Sequence, residues 1–593
     1  MEQSWFEMAE IRRRKFANGV WIPLRAIHSV QELGARGHSG FKEEFFGAGS
    51  LAVPVDQKDE ALNLEWMDVG ISREHGASVD SGRYIPSDIY EVTRGQPLGL
   101  ALVLEQRLNR TEHPVWHLHQ DIVLALHLKR EGDRWVCPDE GYVEVAKLSR
   151  HSDGRPYLLV MRAEFLFDYL CARKMGLYIT SYRNREEVVE DVSHIKWTND
   201  PESDKREGER WEGRIIAIHE GGMPFGAETA VFHVSRTDVD PEEDVPTFGF
   251  PTDDTTASKS WSFKRRERKL FIVQGEYWRD EWIDPGTYSP RIRGDSVPGS
   301  VFFITDTAGT RESKDTLDKE SRWLWFRPDV ITALVDRRGG NLRWYTRDTG
   351  SVSCSPDYGV HFGVNSLGLI NGYAKDIGLL PDWQQRIWSG FNVSPEGGVS
   401  EELLASQMRA DPANTEAPES RFVAALSSMD ESFRAATGKP LLREHPYRPE
   451  VLGRIHRFRA IDQKGLFALA KDIARLTADS IDVAVLHEIV APPKGEKWGS
   501  LKSLEKGLTS ICPVEQARST LTPLVGAYEL RHADAHLPGS ELAQVMKMAG
   551  MDESSAPMQQ GIALIENCAN SIEAITEVLP SLAPKASVEG THE

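Results

Sequence analysis

The chain has 593 residues, with 70 Lys and Arg against 90 Asp and Glu, a formal charge of −20, and 40% hydrophobic and 27% charged residues. That balance excludes a disordered or fibrous chain, and it excludes a protein that coats nucleic acid through its overall field; any polyanion has to meet a local basic site. At roughly 150 residues per domain, the length calls for more than one domain.

Five cysteines, Cys137, Cys171, Cys354, Cys512 and Cys568, are scattered with no CxxC pair. This argues against a disulfide framework or a thiolate zinc site and predicts a reducing, cytoplasmic setting. The opening MEQSWFEMAEIRRRK lacks a signal-peptide core, and no apolar run reaches the roughly 18 residues of a spanning helix, so no membrane role is expected. No cofactor is called for.

All but Trp498 of the 16 tryptophans precede residue 400. The same region carries short β-branched or alternating runs at 121–128 (DIVLALHL), 141–145, 213–219 and 300–305, separated by turn signals such as Arg338-Gly339-Gly340-Asn341. It reads as α+β weighted toward strand, with a helical patch at 158–175, where apolar residues recur every three to four positions. The polar stretch 198–210 is a seam between an α+β lobe, 1–200, and a β-rich lobe, 201–390, unless it is a surface loop within one domain. Residues 238–256, acidic and Pro-rich, read as an exposed loop.

His113, His117, His119, Asp121 and His127 form the one dense histidine cluster. On a strand, His117, His119 and Asp121 would share a face, which a metal site requires; satisfied structural histidines beside Trp116 are the plainer reading. The run Lys264, Arg265, Arg266, Arg268 and Lys269 reads as a charged strand edge or an anion contact. No GxxxxGK[ST] loop is present, since Gly438-Lys439 is followed by Pro440, and there is no HExxH.

Residues 391–420, rich in Pro, Gly, Ala, Glu and Ser without periodicity, are the predicted linker. From 421 to 593 the pattern is helical: Leu466, Leu469, Ala470, Ile473 and Leu476 form one stripe, and Met558, Ile562, Ile565, Ala569, Ile572, Ile575 and Leu579 another. A basic stretch of Arg443, Arg448, Arg454, Arg457 and Arg459, with His445 and His456, precedes the first stripe. It is either a guide for RNA or a solvated helix face.

Within this region lies Glu529-Leu530-Arg531-His532-Ala533-Asp534-Ala535-His536, with Thr522-Pro523 as a predicted helix start and Leu537-Pro538-Gly539 as a stop. At about 100° per residue from Leu524, the apolar stripe holds Leu524, Val525, Tyr528 and Ala535, and Arg531 and His536 bracket it. A cation in that position needs a carboxylate or a phosphate partner.

The Arg531, His532 and His536 pattern, with four residues between Arg531 and His536, resembles the HEPN superfamily over roughly 120 helical residues, and it says nothing about the first 400. The resemblance implies a small helical bundle, giving a multidomain α+β chain: a large β-rich, Trp-rich N-terminal region followed by an all-α HEPN-like bundle. It also implies a metal-independent endoribonuclease in which His536 is the acid/base, Arg531 clamps the scissile phosphate and His532 supports them. Two motifs would meet across a homodimer or within a higher even-numbered oligomer, and the product would be a 2′,3′-cyclic phosphate. Arg454, Arg457 and Arg459 are the residues expected to bind substrate. The architecture resembles Apea-like, abortive-infection antiviral proteins, which implies an RNA-cleaving toxin controlled by an activating ligand or phage component at the N-terminal region. The alternative is a non-catalytic dimerisation or partner-binding module attached to a ligand-binding β-rich scaffold. A nucleotidyltransferase partner domain lacks its Gly-Ser and paired-Asp pattern here.

Overall fold

Period-2 burial decides the architecture of the first half. The computed structural model describes residues 2–71, 77–80, 82–86, 89–93, 96–107, 112–222, 224–225, 229–235, 256–262, 268–299, 301–317, 319, 321–531 and 539–582. The chain forms two compact units, Met1–Val297 and Pro298–Glu593.

The first unit is organised on a twelve-stranded antiparallel sheet. Its strands are β1 (Trp21–Leu33), β2 (Lys42–Pro54), β3 (Ile89–Thr93), β4 (Gln96–Ala101), β5 (Lys129–Glu131), β6 (Arg134–Cys137), β7 (Val143–Arg150), β8 (Pro156–Arg162), β9 (Met175–Val189), β10 (Glu202–Arg206), β11 (Glu209–His219) and β12 (Lys269–Ile283). They lie in the order β10-β11-β12-β9-β2-β1-β8-β7-β6-β5, with β4 on β2 and β3 on β4. On one face Ile22, Leu24, Leu159, Met161, Leu177 and Ile179 pack with Phe165, Leu166 and Tyr169. On the other, Leu51, Val53 and Tyr178 pack with Ala61, Leu64 and Val69. Neighbours such as Leu177 and Tyr178 therefore enter different cores, as strand alternation requires. Each fully buried Leu contributes about 1.5–3 kcal/mol.

Three readings of this region are corrected. The seam at 198–210 is the β10–β11 hairpin, and β11 and β12 pair into the same sheet as β9 and β2, so the boundary lies at 297/298 rather than at 200. Residues 121–128 are not a strand: α1 (Gln120–Ala125) starts there because the His119 Nδ1 accepts the Asp121 backbone N–H at 3.1 Å and caps the helix. The helical patch begins late, since β8 occupies Pro156–Arg162 between β1 and β7, and α2 covers Ala163–Arg173. Residues 238–255 of the acidic segment, and Lys264, Arg265 and Arg266, lie outside the described residues.

The second unit joins a six-stranded antiparallel sheet to a helical bundle. The strands are β13 (Trp323–Phe326), β14 (Asn341–Trp344), β15 (Thr349–Ser355), β16 (Tyr358–Val364), β17 (Ile370–Tyr373) and β18 (Asn392–Val393), in the order β14-β15-β16-β17-β13-β18. Helices α3 (Asp329–Val335) and α4 (Asp382–Phe391) share its core of Phe303, Phe326, Ile331, Phe362 and Trp388. Helix α5 (Glu401–Arg409) packs on β16, and the bundle comprises α6 (Pro418–Thr437), α7 (Arg448–Leu452), α8 (Gln463–Leu476), α9 (Val483–Ile489), α10 (Ser500–Leu508), α11 (Val514–Leu530), α12 (Gly539–Met548) and α13 (Pro557–Val578).

Both stripes read from the sequence enter this bundle. Leu466, Leu469, Ala470, Ile473 and Leu476 of α8, and Ile565, Ala569, Ile572 and Ile575 of α13, are buried in one core. The predicted linker at 391–420 is instead built structure. Asn392–Val393 pairs with β13, the Ser400 hydroxyl caps α5 at the Leu403 N–H, and α6 opens at Pro418. Among the described residues, no helix is long and apolar enough to cross a membrane.

Candidate functional site

Helix α11 presents the motif arginine. Its buried face runs through Ala517, Leu521, Leu524, Ala527 and Leu530, while Val525 and Tyr528 are half-buried. The helix starts at Val514, eight residues before Thr522, so Thr522-Pro523 is not its beginning and Pro523 lies inside it. Arg531 is the residue immediately after the helix, at the terminus where the helix dipole favours a cation by about 0.3–1 kcal/mol.

The Arg531 guanidinium stands 3.7 Å from the Tyr528 ring centroid and donates from Nη1 to both carboxylate oxygens of Asp479, at 2.6 and 2.7 Å. The Arg531 side chain is 20% exposed and that of Asp479 42%. Asp479 is held by the segment after α8. Its backbone N–H donates to the Ala474 carbonyl at 2.9 Å, and its own carbonyl accepts Arg443 Nη2 at 2.5 Å. Leu442 and Ile481 form an antiparallel bridge that joins the two segments.

Next to this joint lies a cleft of about 650 Å³, lined among others by Arg443, His445, Arg448, Arg454, Arg475 and Asp479. The residues from 443 to 454 fold over the C-terminal end of α8 to make it. Asp479 thus belongs to both places: its carboxylate holds the motif arginine and its backbone anchors a cleft arginine.

The predicted substrate residues part company here. Arg454 lines the cleft and pairs with Glu450 one helical turn away. Arg459 is 3.8 Å from the buried Asp472. Arg457 does not fit the reading at all, because its side chain is 0% exposed. Its Nε and Nη2 donate to the two oxygens of buried Glu419 at 2.8 and 2.9 Å, and its Nη1 donates to Asp348 at 3.0 Å. The guanidinium lies 4.4 Å from the Trp344 ring centroid. Burial alone would lower its pKa, but Glu419 and then Asp348 outweigh it and raise the value, so this cation is a structural pin.

His532 and His536 lie outside the described residues, so the geometry of the motif is given by Arg531. The residues missed as a set were Tyr447, Arg475 and Asp479, which have no signature spacing. Arg443 and Arg448 were visible only as members of a basic stretch.

Within the histidine cluster of the first unit, His119, Asp121 and His127 have structural partners. His119 caps α1, Asp121 accepts Arg173 Nε and Nη2 at 2.7 Å and the Tyr169 hydroxyl at 2.9 Å, and His127 Nδ1 lies 2.8 Å from Asp139. Among the described residues no group of three or more His, Cys, Asp or Glu side chains is placed to hold a metal ion. No protein-family model, curated protein or solved structure matches the chain.

Proposed function

We propose that the chain is a metal-independent endoribonuclease built on Arg531, His532 and His536, acting as a regulated RNA-cleaving toxin in antiviral defence, with two copies completing the site. The observation that supports this reading is the position of Arg531. It sits at a helix end beside an arginine-lined cleft, held by a half-exposed carboxylate rather than sealed in the bundle core.

Cleavage without a metal requires removal of the ribose 2′-hydroxyl proton, protonation of the leaving 5′-oxygen and neutralisation of charge on the phosphorane. An imidazole at His536 moves the proton, and a guanidinium at Arg531 offers forked donors to phosphate oxygens. A partly exposed ion pair contributes only about 0–1 kcal/mol, so the non-bridging oxygens of a bound phosphodiester can take over the guanidinium from Asp479.

The Asp479 pair also favours a second reading, in which Arg531 serves cohesion and the bundle is a dimerisation or partner-binding module. Incubating the full chain with RNA in metal-free buffer separates the two. The nuclease reading expects 2′,3′-cyclic phosphate ends from wild type, a loss of about 10²-fold or more in Arg531→Ala and His536→Ala, and retained cleavage in Asp479→Asn. Because a regulated toxin is silent without its activator, RNA integrity is also compared in a bacterial host with and without phage challenge; no cleavage by wild type in either setting, or equal cleavage by all variants, rejects it in favour of the module.

A further inference from the structure

We propose that the cleft between the 443–454 segment and the end of α8 is a binding site for a free nucleoside di- or triphosphate. This holds whether or not the chain cleaves RNA. Its volume of about 650 Å³ falls within the roughly 300–1,000 Å³ of small-molecule sites. Val451 and Leu476 give it apolar walls, and the charged groups around them are four guanidiniums against the three carboxylates of Glu444, Glu450 and Asp479.

The four guanidiniums differ in their partners. Arg454 is answered by Glu450, and Arg475 by Asp472 at 3.1 Å. Arg443 is hydrogen-bonded to a backbone carbonyl rather than to a carboxylate. Arg448 makes no side-chain hydrogen bond or ion pair among the described residues, although it is half-buried in the cleft wall. Two guanidiniums without a carboxylate partner among the described residues, on the 443–454 wall of one concavity, suit two adjacent phosphate groups.

The remainder of the lining matches a nucleoside. Tyr447 is 63% exposed, and its ring lies 5.4 Å from that of His445, tilted by 42°. This leaves an aromatic surface on which a base can stack. Glu444 also lines the cleft and has no ion pair among the described residues. A carboxylate is a poor neighbour for phosphate but a good acceptor for ribose hydroxyls, which places it at the sugar. Phosphates at Arg443 and Arg448, ribose at Glu444 and base at Tyr447 use each of these groups once.

The test is calorimetric titration of the full chain with ATP, GTP, CTP and UTP, with inorganic tripolyphosphate and a short single-stranded RNA as comparison arms. At least one nucleotide should bind, with affinity falling about tenfold in Arg448→Ala, the loss of one charge-assisted contact. Tyr447→Ala should weaken the nucleotide while leaving tripolyphosphate unchanged, which a loss of folding would not do. Arg448→Lys should bind between wild type and Arg448→Ala. No nucleotide binding at about 1 mM, binding unchanged in both Arg448→Ala and Tyr447→Ala, or binding confined to the RNA would each overturn the proposal.

Discussion

His456 is 1% exposed, and neither ring nitrogen has a hydrogen-bond partner among the described residues. Burial pushes its pKa from 6.5 down to about 4, with Arg459 adding to the fall and Glu419 opposing it. Its sequence neighbour Arg457, equally buried, keeps its charge because Glu419 and Asp348 meet it. Between the two pKa values only the unfolded chain binds the proton. The stability tied to His456 is therefore complete above about pH 6.5 and lost as pH falls toward about 4. At about 1.4 kcal/mol per pH unit, the loss is about 3 kcal/mol. His456→Leu should flatten that part of the acid limb and leave stability at neutral pH unchanged or raised, since two unmatched polar atoms are removed. Urea midpoints from pH 4 to 7 for both proteins measure this as a difference, so carboxylates common to both cancel. An identical acid slope in the variant would dismiss His456 as its source.

At the scale of elements, α8 and α13 could be read from the sequence because each carries an unbroken apolar stripe, and helix periodicity reports burial directly. Helix α11 could be read only in part. Thr522-Pro523 imitates a helix start, but local chemistry lost to packing: Leu521 and Ala517, upstream of the proline, are buried in the same core as Leu524. The Ser571 hydroxyl of α13 donates to the Thr520 carbonyl at 2.5 Å, one residue past the carbonyl left without its partner by Pro523. In the first unit, 121–128 misled because an apolar run of that length fits strand or helix, and the deciding signal was a capping histidine. A crossing within the bundle yields a sharper expectation. A Cβ on Gly526 of α11 would lie 2.4 Å from the Ala549 nitrogen and 2.8 Å from its Cα, just beyond α12. Alanine gains about 1 kcal/mol of helix propensity over glycine, but pushing two backbones apart costs about 1–3 kcal/mol. Gly526→Ala should therefore lower the melting temperature; a rise would mean that the α11–α12 contact yields easily.

For the whole molecule, the boundary that composition suggested and the one that packing makes are different. The change from Trp-rich strands to helices near residue 400 is real, yet the sheet of 323–393 and the helices after it belong to one compact unit. Phe458, from the bundle side, is buried in the sheet's core and stacks with Trp344 at 5.6 Å and 11°. Arg457 joins Glu419 to Asp348 beside it. Such a long-range pin leaves no local pattern, because in sequence it is one arginine among several and two distant acids. A fragment of 421–593 would keep Arg457 and lose both carboxylates and the Phe458 pocket. Leaving one buried charge unpaired costs about 3–5 kcal/mol, against a total domain stability of about 5–15 kcal/mol. The fragment 298–593 should therefore unfold cooperatively on heating, as followed by circular dichroism, whereas 421–593 should show a broad or absent transition. Restoring 410–420 should recover only the Glu419 half of the pair. A sharp transition in 421–593 at the temperature of the longer fragment would show that the bundle stands without the sheet, and would return the boundary to where the composition changes.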